Sequence, residues 1–160
     1  GPTGTAMAPK RSRPRRTPSL DSYLKLMRAA DSVNAQLEGC LREAGLTTSQ
    51  FGALEALHHL GPLTQGELAR KLLKSSGNLT LVVDNLERRG LAKRRKHAKD
   101  RRCIEVHLTA SGRKLISEVY PRQARAIRHA MSALAPYEQR HLGELCRRLG
   151  LAASEELTNR

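Results

Sequence analysis

Residues 64–90 read TQGELARKLLKSSGNLTLVVDNLERRG and carry the strongest local signals in the chain. Thr64, followed three residues later by Glu67, is a capping box that predicts the start of a short helix. After a polar break, a second helix is predicted over 77–89, with Gly90 as its C-terminal cap. Its apolar positions recur at helical spacing: Leu79, Val82, Val83 and Leu86. Two short helices joined by a tight turn are typical of a helix-turn-helix.

The residues that follow change to the two-residue period of a β-hairpin. Residues 91–96 are a strand candidate, and Ile104, Val106 and Leu108 alternate with more polar neighbours. The polar tip, residues 97–100, lies between the two predicted strands. A hairpin directly behind a helix-turn-helix is the wing of a winged-helix domain.

Longer segments flank this core, which we place at 46–108 within a domain spanning 17–150. Residues 1–16 are rich in Gly, Pro and Arg, which predicts a disordered basic tail. The opening letters GPTGTA are typical of a cloning remnant, with Met7 as the native start, and 151–160 are predicted to be a C-terminal tail. Three segments are predicted to be long helices suited to dimerisation: 18–44, 109–135 and 136–149. The expected fold class is mostly α with a small β-wing, a winged helix-turn-helix flanked by long dimerisation helices.

The charge distribution indicates the kind of partner. The chain has 160 residues and a formal net charge of +14. Residues 1–19 hold five basic residues and no acid, and residues 88–102 hold nine against Asp100 alone. Because the second cluster lies within the predicted wing, it indicates a polyanionic partner. The chain has three Tyr, one Phe and no Trp, which argues against a module that stacks single-stranded bases on aromatic rings.

Other functional classes find little support. No apolar run approaches the roughly 18 residues of a membrane span, so no membrane partner is expected. The three Cys form no C-x-x-C pair, which argues against a disulfide framework or a zinc site and fits a reducing cytosol. We expect a cytoplasmic location, associated with the bacterial or archaeal nucleoid if the polyanionic partner is DNA. The six His and the carboxylates show no catalytic or metal-ligand spacing. We therefore expect no enzymatic activity, no metal and no cofactor.

The predicted interface is with double-stranded DNA. In a helix-turn-helix, the start of the second helix faces base edges in the major groove, and Asn78 is suited to read an adenine there. An arginine in the wing, Arg102, suits the minor groove, with Asp100 orienting it. The full set predicted to contact DNA is Ser75, Ser76, Gly77, Asn78, Thr80, Arg94, Arg95, Lys99, Asp100, Arg101 and Arg102.

Two motifs resemble the MarR family of winged-helix regulators. SSGNLTLVVDNLERRGLAKR at 75–94 is similar to the family's recognition helix, and DRRCIEVHLTASG at 100–112 to its D-x-R…V-x-L-T-x-x-G wing signature. The resemblance covers about residues 18–150. It implies an obligate homodimer of triangular shape, built from the first helix and the last two, that binds a pseudo-palindromic operator, usually as a repressor. The SSGN and DNLERRG letters most resemble the branch that responds to quinones or phenolic compounds.

The resemblance also implies a small aromatic effector, bound where the dimerisation helices meet the winged domain. The matching walls are Tyr23, Met27, Leu54 and His58. One alternative is a regulator that senses thiol oxidation through Cys103, since neighbouring arginines would lower the pKa of that thiol. Another is a non-specific architectural DNA-binding protein, which would explain the charge but not the helix that carries Asn78.

Overall fold

The computed structural model describes residue 1 and residues 3–159. Over these residues it contains six α-helices and three β-strands. The helices are α1 (Pro18–Ala44), α2 (Thr48–Leu60), α3 (Gln65–Leu72), α4 (Ser76–Arg88), α5 (Ala110–Ala130) and α6 (Pro136–Thr158). The strands are β1 (Leu63–Thr64), β2 (Ala92–Lys96) and β3 (Ile104–Leu108). The chain divides into two compact units, residues 1–32 and 33–160.

The first unit contains the N-terminal segment and the first turns of α1. The described residues before Pro18 form neither helix nor strand; their disorder stays a prediction. Thr17 caps the N-terminus of α1: its Oγ1 accepts the Leu20 N–H at 3.3 Å, and its carbonyl accepts the Asp21 N–H at 3.0 Å. The Lys25 ammonium donates to Asp21 at 2.6 Å and holds the pKa of that carboxyl below its ordinary value. The predicted start of α1 is confirmed.

The second unit is built around one hydrophobic core. Its largest fully buried side chains are Leu54, Leu68, Leu79, Leu86, Ile116, Val83 and Val106. They come from α2, α3, α4, α5 and β3, and each contributes roughly 1.5–3 kcal/mol by leaving water. This shared core holds the helix-turn-helix, α3 and α4, against the sheet.

The sheet confirms the predicted wing. It is antiparallel with the strand order β1–β3–β2. β2 pairs with β3 so that Arg94 lies opposite Val106, while Leu63 of β1 pairs with Val106 from the other side. The sequence did not predict β1, because a two-residue strand shows no alternation. Directly after it, Thr64 caps α3 by accepting the Glu67 N–H at 3.1 Å, which is one half of the predicted capping box.

The boundary between α5 and α6 differs from the prediction. α5 ends at Ala130, whereas the sequence predicts a helix to residue 135. The Gln139 amide explains the early end, since its Nε2 donates to the carbonyls of Met131 at 3.1 Å and Leu134 at 3.0 Å. These bonds satisfy carbonyls that a continuing helix would otherwise use. Pro136 then occupies the first turn of α6, as predicted.

The C-terminal boundary is also different. The predicted C-terminal tail, residues 151–160, is helical over most of its length, because α6 continues to Thr158. Gly150 is a site of close packing: a Cβ there would lie 2.7 Å from Leu73 Cδ1. Leu73 itself has a left-handed backbone (φ 52°) in the turn between α3 and α4. α6 therefore packs against the turn between α3 and α4.

Candidate nucleic-acid interface

The start of α4 forms the first part of the site. Ser75 is its N-cap, and its Oγ accepts the Asn78 N–H at 3.2 Å. The Thr80 hydroxyl donates to the Ser76 carbonyl at 2.8 Å, so its proton is used within the helix. All five predicted contact residues of this segment are exposed: Ser75, Ser76, Gly77, Asn78 and Thr80. The positive end of a helix dipole thus faces solvent with short polar side chains around it, an arrangement that suits a DNA phosphate or base edge.

Arg94, which the sequence analysis included among the DNA contacts, is mostly buried and paired within the protein. Its side chain is 19% exposed, and Nη2 and Nη1 lie 2.7 Å from Asp84 and 3.0 Å from Glu87 on α4. Nε donates to Gln65 at 2.7 Å, and Nη2 also donates to the Thr80 carbonyl at 3.3 Å. Every guanidinium nitrogen is therefore engaged within the protein. Arg94 joins the wing to α4 by pairing with two carboxylates there, so its guanidinium is not free to contact DNA.

The wing tip is organised by His97, which the sequence analysis did not select. Its Nδ1 accepts the backbone N–H groups of Lys99 at 3.1 Å and Asp100 at 3.2 Å. Its Nε2 lies 3.6 Å from a carboxylate oxygen of Glu105. His97 thus ties the turn at residues 99 and 100 to β3. Sequence alone gives no signal for this contact, since it depends on how the hairpin closes.

Asp100 and Arg102 form the pair that the wing signature implies. Asp100 Oδ1 accepts the Arg102 backbone N–H at 3.1 Å and its Nε–H at 3.3 Å. These bonds hold the pKa of the Asp100 carboxyl below its ordinary value. The Arg102 side chain is 92% exposed, so the carboxylate orients it without burying it. The other predicted wing contacts, Arg95, Lys99 and Arg101, are also exposed.

The predicted direction of the pKa shift at Cys103 is wrong: the pKa is raised and not lowered. The negative charge of Asp100 raises the pKa of the Cys103 thiol, and partial desolvation adds to the effect. The thiol also donates to Asp100 Oδ2 at 3.7 Å. Arg102 acts in the opposite direction but more weakly. A raised pKa lowers the thiolate fraction, which removes the ground for a reactive sensor at this position.

The predicted effector residues lie in both units. In the first unit, Tyr23 and Met27 are 57% and 40% exposed. In the second, His58 is exposed near the end of α2, whereas Leu54 is fully buried in the core and offers no surface to a ligand. Gln123 on α5 was not selected from the sequence, yet it is 2% exposed and its Oε1 has no hydrogen-bond partner within the described structure. A buried acceptor of this kind needs a donor.

Two further features of the described residues concern metals and membranes. No group of three His, Cys, Asp or Glu residues is arranged to hold a metal ion in that part of the chain. No helix there is both long and apolar enough to cross a membrane.

Comparison with known proteins identifies relatives of this chain. A model of the MarR family matches residues 46–104. The uncharacterised HTH-type transcriptional regulator YkoM of Bacillus subtilis (strain 168) is 35% identical over 133 residues, which cover 83% of this chain and 86% of YkoM. The structure of NadR in complex with 4-hydroxyphenylacetate has a TM-score of 0.74 at 25% identity, covering 86% of this chain and 98% of NadR. Sco3205, a MarR family regulator from Streptomyces coelicolor in complex with DNA, has a TM-score of 0.73 at 26% identity, covering 86% and 89%.

Proposed function

Because the chain belongs to the MarR family of transcriptional regulators, we propose that it is a sequence-specific, homodimeric repressor of a pseudo-palindromic operator in double-stranded DNA. One observation carries the proposal. The exposed polar start of α4 and the cationic wing are joined by Arg94, which bonds to Asp84 and Glu87. A rigid connection of this kind lets one protomer contact a major groove and an adjacent minor groove together.

Dimerisation is proposed through α1, α5 and α6, with residues 46–108 as the DNA-binding core. Apolar side chains stand exposed on α1 and α6 of the single chain: Leu20, Tyr23, Met27, Tyr137, Leu142, Leu145 and Leu149. Amphipathic helices are stable in water when their apolar face is covered, and a second copy supplies a matching face. The two recognition helices would then read half-sites about one DNA turn, roughly 34 Å, apart.

A small phenolic or aromatic compound, or a quinone, is proposed to release the DNA. The similar protein NadR binds 4-hydroxyphenylacetate in its crystal structure. Of the residues that the resemblance suggests for effector contact, Tyr23, Met27 and His58 are exposed in this chain. Such a ligand acts only through its higher affinity for the form that does not fit DNA.

The test is fluorescence anisotropy with the duplex upstream of this protein's own gene against a scrambled duplex, at two salt concentrations, with and without salicylate or a simple quinone. We expect about 10³-fold preference for a specific duplex, relieved by a compound. Arg102→Ala is expected to weaken binding while dimer and helix content are unchanged. If the upstream duplex shows no preference, selection from random DNA follows. Failure to enrich any sequence would refute the proposal and favour the non-specific binder that the net charge of +14 would explain.

A further inference from the structure

The outward face of α4 carries a large apolar side chain that neither the fold nor the predicted contacts use. Leu81 is 67% exposed, whereas its neighbours Leu79 and Val83 are 1% and 0% exposed. An α-helix turns about 100° per residue, so Leu81 lies about 200° from Leu79, on the side opposite the core. It therefore faces the same way as the exposed start of the helix.

The space beside Leu81 is open. Gly77 lies one turn earlier on the same line of the helix, and a Cβ there would meet nothing within 4 Å. Gly77 therefore leaves open space on the Leu81 side of the helix. Leu81 and Asn78 also line one shallow groove between α4 and the start of α2. An apolar surface thus lies next to the amide predicted to read an adenine.

The surroundings favour duplex DNA over an apolar protein partner as the occupant. The wing beside α4 presents exposed cations at Lys93, Arg95, Lys96 and Lys99. The two carboxylates of α4, Asp84 and Glu87, both pair with Arg94, at 2.7 and 3.0 Å, which compensates half of their negative charge. A leucine side chain has no hydrogen-bonding group, and in the major groove only thymine presents an apolar group, its C5-methyl.

We propose that Leu81 reads the C5-methyl group of one thymine in each half-site, beside the base contacted by Asn78. This assignment rests on the sequence-specific DNA binding proposed above. Leu81 is thereby a specificity-determining residue, and an operator preference for thymine at that position follows from contact with a methyl group.

The experiment uses the full chain and a duplex enriched from a random-sequence library. Each thymine is replaced in turn by deoxyuracil, which deletes the methyl group and leaves base pairing unchanged. One buried methyl group corresponds to about a fourfold loss of affinity per half-site. We expect this loss at one thymine per half-site with the wild type, and no loss there with Leu81→Ala. Uracil at the remaining thymines is the internal control.

We expect Leu81→Ala to fold like the wild type, because Leu81 is exposed and Ala is a better helix former. Comparison of the two Tm values by thermal unfolding tests this. Gly77→Ala is a second probe of the same face of α4. It adds a methyl group to the open space there without a clash in the free protein, and it should weaken binding to the enriched duplex. Equal uracil sensitivity in wild type and Leu81→Ala, or none in the wild type, would overturn the assignment while leaving sequence-specific binding intact. If no duplex is enriched, both proposals fail together.

Discussion

Replacing Arg94 by Ala is the perturbation that best tests the connection between wing and recognition helix. The guanidinium lies 2.7 Å from Asp84 and 3.0 Å from Glu87, and its side chain is 19% exposed. Its loss leaves two carboxylates of α4 without their cation. It also frees the wing strand from its hydrogen bonds to Gln65 and to the Thr80 carbonyl.

The expected loss in the free energy of unfolding of Arg94→Ala lies between two limits. Exposed ion pairs contribute about 0–1 kcal/mol, whereas removing one partner of a buried pair costs about 3–5 kcal/mol. The carboxylates of Asp84 and Glu87 are 43% and 41% exposed, so water compensates part of the loss. We expect the free energy of unfolding to fall by about 2 kcal/mol, which corresponds to a decrease in Tm of about 4–8 °C.

Differential scanning calorimetry at fixed protein concentration measures the change in Tm. Fluorescence anisotropy with the enriched duplex measures the change in DNA affinity. Arg95→Ala is the matched control, since it removes the same charge from the neighbouring, exposed position. It should change stability by no more than about 0.5 kcal/mol and lower the salt slope of DNA binding by about one phosphate contact. Arg94→Ala should lower affinity further, because Asp84 and Glu87 would then repel the DNA backbone. Adding Asp84→Asn and Glu87→Gln should restore part of that affinity. Equal Tm values for the Arg94 and Arg95 variants would refute the reasoning.

Further predictions concern the wing tip, the tail and the start of α5. The Cys103 thiol should react with iodoacetamide more slowly than a free thiol, and Asp100→Asn should accelerate it, because the carboxylate raises the thiol pKa; unchanged alkylation by mass spectrometry would contradict this. The pKa of Asp100 is lowered in the folded wing, so its stabilising contribution should be complete above its ordinary pKa of 3.8 and be lost as pH falls through the lower folded value; an NMR titration of the carboxyl measures this. Deleting residues 1–16 should flatten the plot of log affinity against log salt by about 0.9 for each phosphate that the tail contacts, and an identical slope would exclude the tail from the interface. Gly112→Ala should destabilise the fold by more than an exposed substitution does, since its Cβ would clash with the Leu91 carbonyl oxygen; an unchanged Tm would contradict that close approach.

The sequence alone does not predict which of Arg94 and Arg95 is paired within the protein and which is exposed. Both belong to one cationic run, and alternation along a strand places them on opposite faces. Which face meets α4 depends on how the wing folds back onto that helix. Cys103 is a similar case, because the sequence places it beside arginines, while the closed hairpin brings the Asp100 carboxylate to 3.7 Å from its sulfur. The nearer charge sets the sign of the pKa shift.

The sequence by itself determined the order and kind of the main elements. Pro18, Gly90 and Thr109 mark helix ends where predicted, and the change from helical to alternating periodicity located the wing. These signals act between residues a few positions apart, so they can be read from a single chain. Only the tertiary structure decided which cations of the wing are exposed and which are paired, how far α6 extends beyond Gly150, and that Leu54 belongs to the core. Those outcomes depend on contacts between residues far apart in the chain, whose energies become defined when the core has brought them within a few ångströms.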